Sequence, residues 1–349
     1  MRLTLPFVIA GVALAAAPVG AQEPDPGIAL REVVRAATVR AYQGRNAGPE
    51  QTERFSRKVK IGRDGRVSVS NISGDIVVTA GSGDEVSIEA VKRTRGDRSE
   101  LAGVEIVVDE RAGRVDVHAE HDRYRSDRGR RGDSASVDFT VTVPASASVD
   151  VHSISGSVKV TGVRGAVRAE TVSGNVAATD TPNLEHAKSV SGNVTLTGAA
   201  AEGDLSAGSV SGNITAKGLK ARGLDLGSVS GDVTLTDVDC ERLTIKSVSG
   251  SVEYAGAIAR NGRYEINSHS GTVRLMLANP SGFELNANSF SGSIRSDLPL
   301  TIGGDSSRDR DASRGRRGND SHNMRATFGD GSATLSIRTF SGDIVIAKR

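Results

Sequence analysis

The fold can be inferred from Leu243-Thr244-Ile245-Lys246-Ser247-Val248-Ser249-Gly250-Ser251-Val252-Glu253-Tyr254, which contains one copy of a six-residue unit. The unit reads Ser, Thr or Asn, then an apolar residue in nine of ten copies, then Ser-Gly, a small polar residue, and Val or Ile. Its ten glycines are Gly74, Gly156, Gly174, Gly192, Gly212, Gly231, Gly250, Gly271, Gly292 and Gly342. From Gly156 to Gly292 their spacings are 18, 18, 20, 19, 19, 21 and 21 residues. A period this short excludes helical-hairpin repeats, which need about 33 residues or more.

The residues on both sides of each glycine alternate apolar and polar, as β-strands do. Leu243 and Ile245 share one parity, whereas Val248 and Val252 share the other. Because successive strand side chains face opposite sides of a sheet, we expect a phase slip between Ser247 and Val248, with a bend or bulge there. Each unit is therefore predicted to be a strand, a corner and a second strand.

One unit directs only a few small apolar side chains inward and cannot bury them alone. Units stacked about 4.8 Å apart would pair their backbones and make a rod roughly 48 Å long. We therefore predict an all-β fold, a parallel β-solenoid of 18 to 21 residues per coil, right-handed by the general preference of parallel crossovers. The ten glycines would form a structural corner, where a Cβ would clash or where φ is positive. The serine columns would be either hydrogen-bonded ladders or merely small polar residues at a bend.

Composition excludes several other classes of protein. The chain has 349 residues, 37% of them hydrophobic and 3% aromatic, with no Trp, which cannot fill a bulky three-layer core. Its net charge of +2 gives no global attraction to nucleic acid or membrane. Cys240 is the only cysteine, so no intramolecular disulfide can form, and we expect its thiol to pack inward.

The first 21 residues have the pattern of a secretory signal peptide. Arg2 precedes an uncharged, largely apolar run that ends in the small residues Val19-Gly20-Ala21. We predict cleavage after Ala21, export to the periplasm or cell surface, and no transmembrane segment in the mature chain; a retained membrane anchor is the alternative.

Residues 22–58 are predicted to be a leader or a capping helix. The apolar positions of Ala29 to Gln43 share one helical face, which could cover the open end of the solenoid. A basic membrane-surface helix is the alternative. Residues 59–150 would form irregular β coils with a loop at 121–134, residues 151–302 the regular solenoid, and residues 323–349 a C-terminal coil.

Two Arg- and Gly-rich segments, 121–134 and 303–322, interrupt the pattern, and we expect both to be disordered loops. Both contain Arg-Gly-Arg-Arg-Gly, whose arginines are candidates for contact with a polyanion: Arg128, Arg130, Arg131, Arg314, Arg316 and Arg317. Interleaved Asp residues favour a solvated loop instead. The scarcity of stacking aromatics disfavours nucleic acid as a partner.

The residues predict no catalytic, cofactor or metal site. Asp75, Asp232 and Asp343 follow corner glycines but are dispersed, whereas a glycan-cleaving solenoid enzyme needs two acids together. His118 and His121 lie three apart in a strand-like stretch and would face opposite sides, which disfavours a metal site. The Ser-Gly pairs lack the additional glycine of a nucleophile elbow.

The repeated Ser-Val-Ser-Gly-Asp/Asn-Val, the strand Phe139-Thr140-Val141-Thr142-Val143-Pro144 and the closing stretch from Gly331 to Ile344 resemble the bacterial family of β-strand-repeat domains labelled "putative adhesins". The likeness covers roughly Val59 to Lys348. It implies an exported solenoid associated with the cell envelope, and it brings no catalytic or ligand residues with it.

We therefore expect an exported, non-enzymatic envelope protein that binds a macromolecular partner, an envelope protein or a glycan, through its faces or edge. One alternative is a structural module that self-associates end to end, which an uncapped sheet end would favour and a charged cap would oppose. The other alternative is a glycan-active enzyme.

Overall fold

The computed structural model describes residues 49–121, 135–198, 200–278, 282–302 and 322–349. They form an all-β fold with one 3₁₀ helix, Arg98–Gly103. No helix in these ranges is long and apolar enough to cross a membrane. In chain order the strands are β1 (Gln51–Lys60), β2 (Arg66–Ser73), β3 (Ile76–Gly81), β4 (Glu85–Thr94), β5 (Val104–Arg111), β6 (Arg114–His121), β7 (Ser136–Pro144), β8 (Ser148–Ser155), β9 (Val158–Thr161), β10 (Val167–Ser173), β11 (Val176–Thr179), β12 (Leu184–Ser191), β13 (Val194–Thr197), β14 (Ala200–Ser211), β15 (Ile214–Lys217), β16 (Lys220–Ser230), β17 (Val233–Ser249), β18 (Val252–Gly256), β19 (Arg263–Ser270), β20 (Val273–Leu277), β21 (Phe283–Ser291), β22 (Ile294–Ser296), β23 (Thr301–Ile302), β24 (His322–Phe328), β25 (Ala333–Ser341) and β26 (Ile344–Lys348).

Each coil contributes one strand before its glycine corner and one after it. The strands before the corners, together with β5, β6, β23 and β24, form sheet 1. Its order is β5, β6, β2, β8, β10, β12, β14, β16, β17, β19, β25, β21, β24 and β23. The strands after the corners, together with β1, β4 and β7, form sheet 2. Its order is β1, β4, β7, β3, β9, β11, β13, β15, β17, β18, β20, β26 and β22. Pairing is parallel through the repeated coils, so the chain is a solenoid-like stack.

Equivalent residues of successive coils lie beside one another in this stack. Ile245, for example, pairs with Leu226 on one side and with Ile266 on the other. The two sheets enclose one core of mostly Val, Ile, Leu and Ala that extends from Val59 to Ile346. This arrangement lets small side chains fill the interior, because each column is continued by the coils above and below it.

The start of the stack differs from the prediction for residues 22–58. Gln51 to Lys58 belong to strand β1, which pairs antiparallel with β4, and β4 pairs antiparallel with β7. The predicted leader or helix is therefore wrong over this range. Phe55 and Val59 of β1 pack against the core, whereas its charged residues are exposed, including Arg57, which lies between them on the same face of the strand. The segment closes the edge of sheet 2. Residues 22–48, which hold the predicted helix, lie outside the described ranges.

The order of the last coils also differs from the chain order that the sequence predicts. The coil of Gly342 lies between those of Gly271 and Gly292, because β25 pairs with both β19 and β21. Strand β24 then pairs antiparallel with β21 and closes the end of sheet 1. The final copy is therefore an internal rung, which equal spacing along the chain could not indicate.

The right-handed winding of the coil stays a prediction. The two Arg- and Gly-rich segments lie almost entirely outside the described residues, and so do all six arginines assigned to them: Arg128, Arg130, Arg131, Arg314, Arg316 and Arg317.

Candidate functional site

The ten glycines lie at one corner of the stack. Nine of them have φ between 110° and 154°, the exception being Gly292. A Cβ added to Gly231 would overlap the carbonyl group of Gly212, and the same overlap recurs from coil to coil, including Gly292 against Gly342. Glycine is required here both for its backbone conformation and for the close approach of neighbouring coils.

The first residue of each unit is buried just inside this corner, and in six of the ten units its side chain donates to backbone carbonyls. Thr171 Oγ1 donates to the Gly156 carbonyl at 3.0 Å, and Ser189 Oγ donates to the Gly174 carbonyl at 2.8 Å. In the first coil Asn71 Nδ2 donates to the Val137 carbonyl at 2.7 Å. The hydroxyls of Ser153, Ser247, Ser268 and Thr339 are buried without such a bond in the described part of the chain. Where a serine of this column forms a hydrogen bond, its acceptor is a glycine carbonyl.

The residue after each glycine forms a second ladder on the outer side of the corner. Asn175 Oδ1 accepts from the backbone N–H of Asn193, Asn193 Oδ1 from that of Asn213, and Asn213 Oδ1 from that of Asp232, each at 2.9 Å. Asp232 Oδ1 continues the series by accepting from the N–H of Ser251 at 2.8 Å. A carboxylate or an amide serves equally in this column, because only an acceptor oxygen is needed.

The apolar residue before Ser-Gly does not point into the core. Val248 is 48% exposed, whereas Leu243, Ile245 and Val252 are buried. The predicted slip between Ser247 and Val248 is therefore wrong: the strand alternation continues through Val248, and the change of phase falls at Gly250. The glycine corner makes this possible, because it turns the chain without requiring an inward side chain there.

These outward residues form a single row, which we call the apolar ladder: Ile72, Ile154, Val172, Val190, Val210, Val229, Val248, His269, Phe340 and Phe290, in stack order. Ten large apolar side chains are exposed in the described part of the chain, and nine of them belong to this row, at 39% to 54% exposure. At about 4.8 Å per coil, the ladder is roughly 43 Å long. A continuous exposed apolar surface of this kind marks an interaction site.

The ladder ends in a stack of three aromatic rings. Phe340 stacks on His269 with 5.0 Å between ring centroids and an interplanar angle of 9°, and on Phe290 at 4.7 Å and 7°. Both faces of Phe340 are therefore covered by neighbouring rings, and its edge points to solvent. Sugar rings bind to aromatic faces, and neither face of Phe340 is free for such stacking.

A groove follows the ladder on the side of sheet 1. Its floor is the buried Ser/Thr column, and its second wall is the outward residue two positions before each ladder residue. We call this second wall the polar row: Ser70, His152, Glu170, Lys188, Gly208, Gly227, Lys246, Asn267, Arg338 and Asn288. The groove from Ile72 to Val248 encloses about 890 Å³, and a further section of about 490 Å³ continues to Phe340.

The titratable groups with displaced pKa values lie away from this groove or serve the fold. Burial, aided by the Asp239 carboxylate, raises the pKa of the Cys240 thiol from 9.0 to about 12. Burial also raises the pKa of Tyr254 and of Tyr264, whose hydroxyl donates to the Cys240 carbonyl at 2.6 Å. Hydrogen bonds from the backbone and hydroxyl of Ser293 lower the pKa of Asp343.

The other predicted residues are not brought together into a catalytic centre. Asp75, Asp232 and Asp343 occupy the outer ladder in separate coils and accept backbone N–H groups there. His118 and His121 point to opposite sides of β6. Among the described residues, no group of three or more His, Cys, Asp or Glu side chains could hold a metal ion.

The repeat, the solenoid-like sheets and the corner define a class of protein. The Toastrack DUF4097 family model matches residues 66–347, so the chain belongs to this family, and the resemblance seen in the sequence is confirmed. The chain is also similar to the crystal structure of a "putative adhesin" from Bacteroides fragilis, at 10% identity over 85% of this chain and 97% of that one, with a TM-score of 0.41. A "putative lipid binding protein" from Parabacteroides distasonis matches at 13% identity over the same shares, with a TM-score of 0.40. No curated protein matches the chain.

The apolar ladder was not predicted from the sequence, although the signal was present. Val or Ile recurs at the second position of the unit, directly before Ser-Gly. Ser247 has the same parity as the inward Leu243, so uninterrupted alternation turns Val248 outward. The predicted slip between Ser247 and Val248 instead gives Val248 the parity of Val252, which agrees with the usual burial of apolar residues.

Proposed function

We propose that this protein is an exported, non-enzymatic component of the cell envelope that binds a macromolecular partner through the apolar ladder. The observation that carries the proposal is the ladder itself. A row of nine exposed large apolar side chains is costly in water, and a partner that covers it would gain the hydrophobic free energy of burial.

A protein partner fits this surface better than a glycan. Both ring faces of Phe340 are occupied by His269 and Phe290, so an incoming sugar would meet only the edge of this ring. Valine and isoleucine side chains supply most of the remaining contact surface, and such side chains recognise apolar groups through shape and burial.

The ends of the sheets support a discrete rod over end-to-end assembly. Sheet 2 ends in β1, which carries Arg54, Arg57, Lys58 and Lys60, and at its other end in the three-residue strand β22. Charged or very short edge strands oppose the addition of another chain. The carboxylates of the outer corner column have a structural use as acceptors, which supports a non-enzymatic role.

Export is proposed on the pattern of residues 1–21, with cleavage after Ala21. N-terminal sequencing of the protein recovered from the periplasm or cell surface should begin at Gln22. Recovery of the uncleaved chain from the cytoplasm would contradict export.

The binding proposal is tested by making the ladder polar. We expect the substitutions V190T, V210T, V229T and V248T together to abolish retention of a partner from envelope extract, with an unchanged melting temperature. I302T is the matched control, because Ile302 is 70% exposed and lies outside the ladder. If the quadruple variant retains the same molecules as the wild type and I302T, the ladder is not the binding surface.

A further inference from the structure

We propose that the section of the groove between Lys188 and Lys246 binds an extended peptide segment that carries an acidic residue at each end of a short apolar run. This inference rests on the proposed function and names the chemistry of the partner. Three features support it: two glycines that the fold does not require, the surfaces on either side of those glycines, and two lysines that form no ion pair with any described residue.

Gly208 and Gly227 occupy adjacent positions of the polar row, between Lys188 and Lys246. Neither glycine has a positive φ. A Cβ added to Gly227 would meet no atom within 4 Å, and one added to Gly208 would make an ordinary contact at 3.4 Å. Because glycine weakens the interior of a strand, its use at two positions with room for a side chain points to close approach by another backbone.

The absence of side chains at Gly208 and Gly227 widens the groove. One wall there consists of Val190, Val210, Val229 and Val248. Beyond the two glycines lies the next outward row of sheet 1, where Ser206, Asp225 and Thr244 lie side by side and line an adjoining depression of about 620 Å³. This section therefore has an apolar wall facing a polar wall of hydrogen-bond acceptors. An extended peptide matches both walls, because its side chains can pack on the valines while its backbone N–H groups donate to the opposite side.

Lys188 and Lys246 mark the two ends of this section. Both side chains are exposed, and neither forms an ion pair with any residue in the described ranges. They are three strands apart in the sheet, which corresponds to about 14 Å. In an extended chain, residues i and i+4 are about 13 Å apart, so two acidic residues at this spacing would reach both amines.

The same features disfavour an alkyl amphiphile as the occupant. An amphiphile with a single anionic head would use one lysine and leave the other unpaired. Its alkyl chain would also lie against Ser206, Asp225 and Thr244, whose polar groups would lose water without gaining a hydrogen bond. An extended acidic peptide would pair with both lysines, pack its apolar side chains on the valines, and donate backbone hydrogen bonds to the polar wall.

The probe for the test is a fluorescein-labelled peptide, Gly-Glu-Val-Leu-Val-Glu-Gly, titrated with the mature protein at low ionic strength and followed by fluorescence anisotropy. We expect saturable binding that weakens as salt is added, because two ion pairs contribute. A peptide with both Glu replaced by Gln should bind roughly tenfold more weakly. Dodecanoate, an alkyl amphiphile with one anionic head, serves as the competitor.

The first variant places a side chain in the free space at Gly227. G227Q should keep or raise the melting temperature, because the added side chain has free space and replaces a strand glycine. We expect it to weaken peptide binding at least about tenfold by occupying the groove. T215Q is the control, since Thr215 is an exposed residue within strand β15 of sheet 2, away from the groove and from its polar wall.

The second variant exchanges the charges and does not depend on the first. The double variant K188E/K246E should lose the acidic peptide and bind a peptide with Lys in place of both Glu, whereas K217E should behave as the wild type. Lys217 is an exposed lysine on sheet 2, away from the groove. Rescue by the exchanged peptide would show direct pairing, because a damaged fold cannot create new binding.

Three results of the peptide titrations would overturn the inference: no saturable binding of the acidic peptide, equal binding by K188E/K246E, or displacement of the peptide by dodecanoate at lower concentration than by unlabelled peptide. A concentration-dependent dimer that buries the ladder and excludes the peptide would overturn it as well, and would assign the groove to a second copy. These failures are distinct from failure of the proposed function. The quadruple ladder variant could still lose its envelope partner while the acidic peptide fails to bind.

Discussion

Glycines of two kinds lie within a few residues of each other in the unit around Gly231. Gly231 has φ of 140°, and a Cβ on it would overlap the Gly212 carbonyl group. Gly227 has neither constraint. The same residue type therefore serves the fold at one position and leaves room on the surface at the other.

We expect G231V to lower the free energy of unfolding by more than about 2 kcal/mol, because valine is strained at this φ and overlaps the next coil. G227V, four residues earlier, should leave it unchanged or raise it by about 0.5–1 kcal/mol. Urea unfolding followed by circular dichroism measures both. Equal stability of the two variants would show that the corner does not require glycine.

The outer ladder at the corner permits a second test at a single residue. N193A removes the acceptor of the Asn213 backbone N–H and should cost about 1 kcal/mol of unfolding free energy. N193D keeps an acceptor oxygen, as Asp232 does naturally in its own coil, and should cost less. If both variants lose the same stability, the amide acts through something other than this bond.

Within the elements, the strands after Val233 place three weakly acidic groups together in the core. Cys240 in β17, Tyr254 in β18 and Tyr264 in β19 are all buried, and the two tyrosine rings meet edge to face at 6.1 Å. Their hydroxyls donate to backbone carbonyls, which satisfies the polar ends of two large side chains that fill this part of the interior.

Burial of these groups predicts a loss of stability at high pH. The Cys240 thiol has pKa 9.0 as its ordinary value and about 12 in the folded protein, so above pH 9 the unfolded chain binds fewer protons than the folded one. The free energy of unfolding should therefore fall from about pH 9 to pH 12, and C240A should make this fall shallower. Titration of stability against pH checks the slope; an unchanged slope in C240A would contradict the assignment. The native thiol should also resist iodoacetamide until the protein is unfolded.

For the whole molecule, the position of the last coil has the largest consequence. Because the coil of Gly342 lies between those of Gly271 and Gly292, a chain that ends at Ile302 would lack an internal rung. Strand β21 would lose both of its neighbours, β25 and β24.

We expect hydrogen exchange over Phe283–Ser291 to become at least about a hundredfold faster in the chain truncated after Ile302. Deletion of residues 308–317 serves as the control and should leave the exchange of β21 and cooperative unfolding unchanged. If β21 stays protected in the truncated chain, the final coil is dispensable and does not lie between the coils of Gly271 and Gly292.

The amino-acid sequence was enough to establish the repeat, the parallel stacking of coils and the glycine corner, because these depend on local periodicity and on a residue type that only one backbone geometry requires. It was not enough to show that Val248 and its equivalents face outward. The change in inward and outward alternation could lie before Val248 or at Gly250, and the sequence is compatible with both. Nor could it place β25 between β19 and β21 or join Gly208 and Gly227 into one gap. Those facts depend on which strands pair across long stretches of chain, and pairing between distant segments is fixed only when the whole core is assembled.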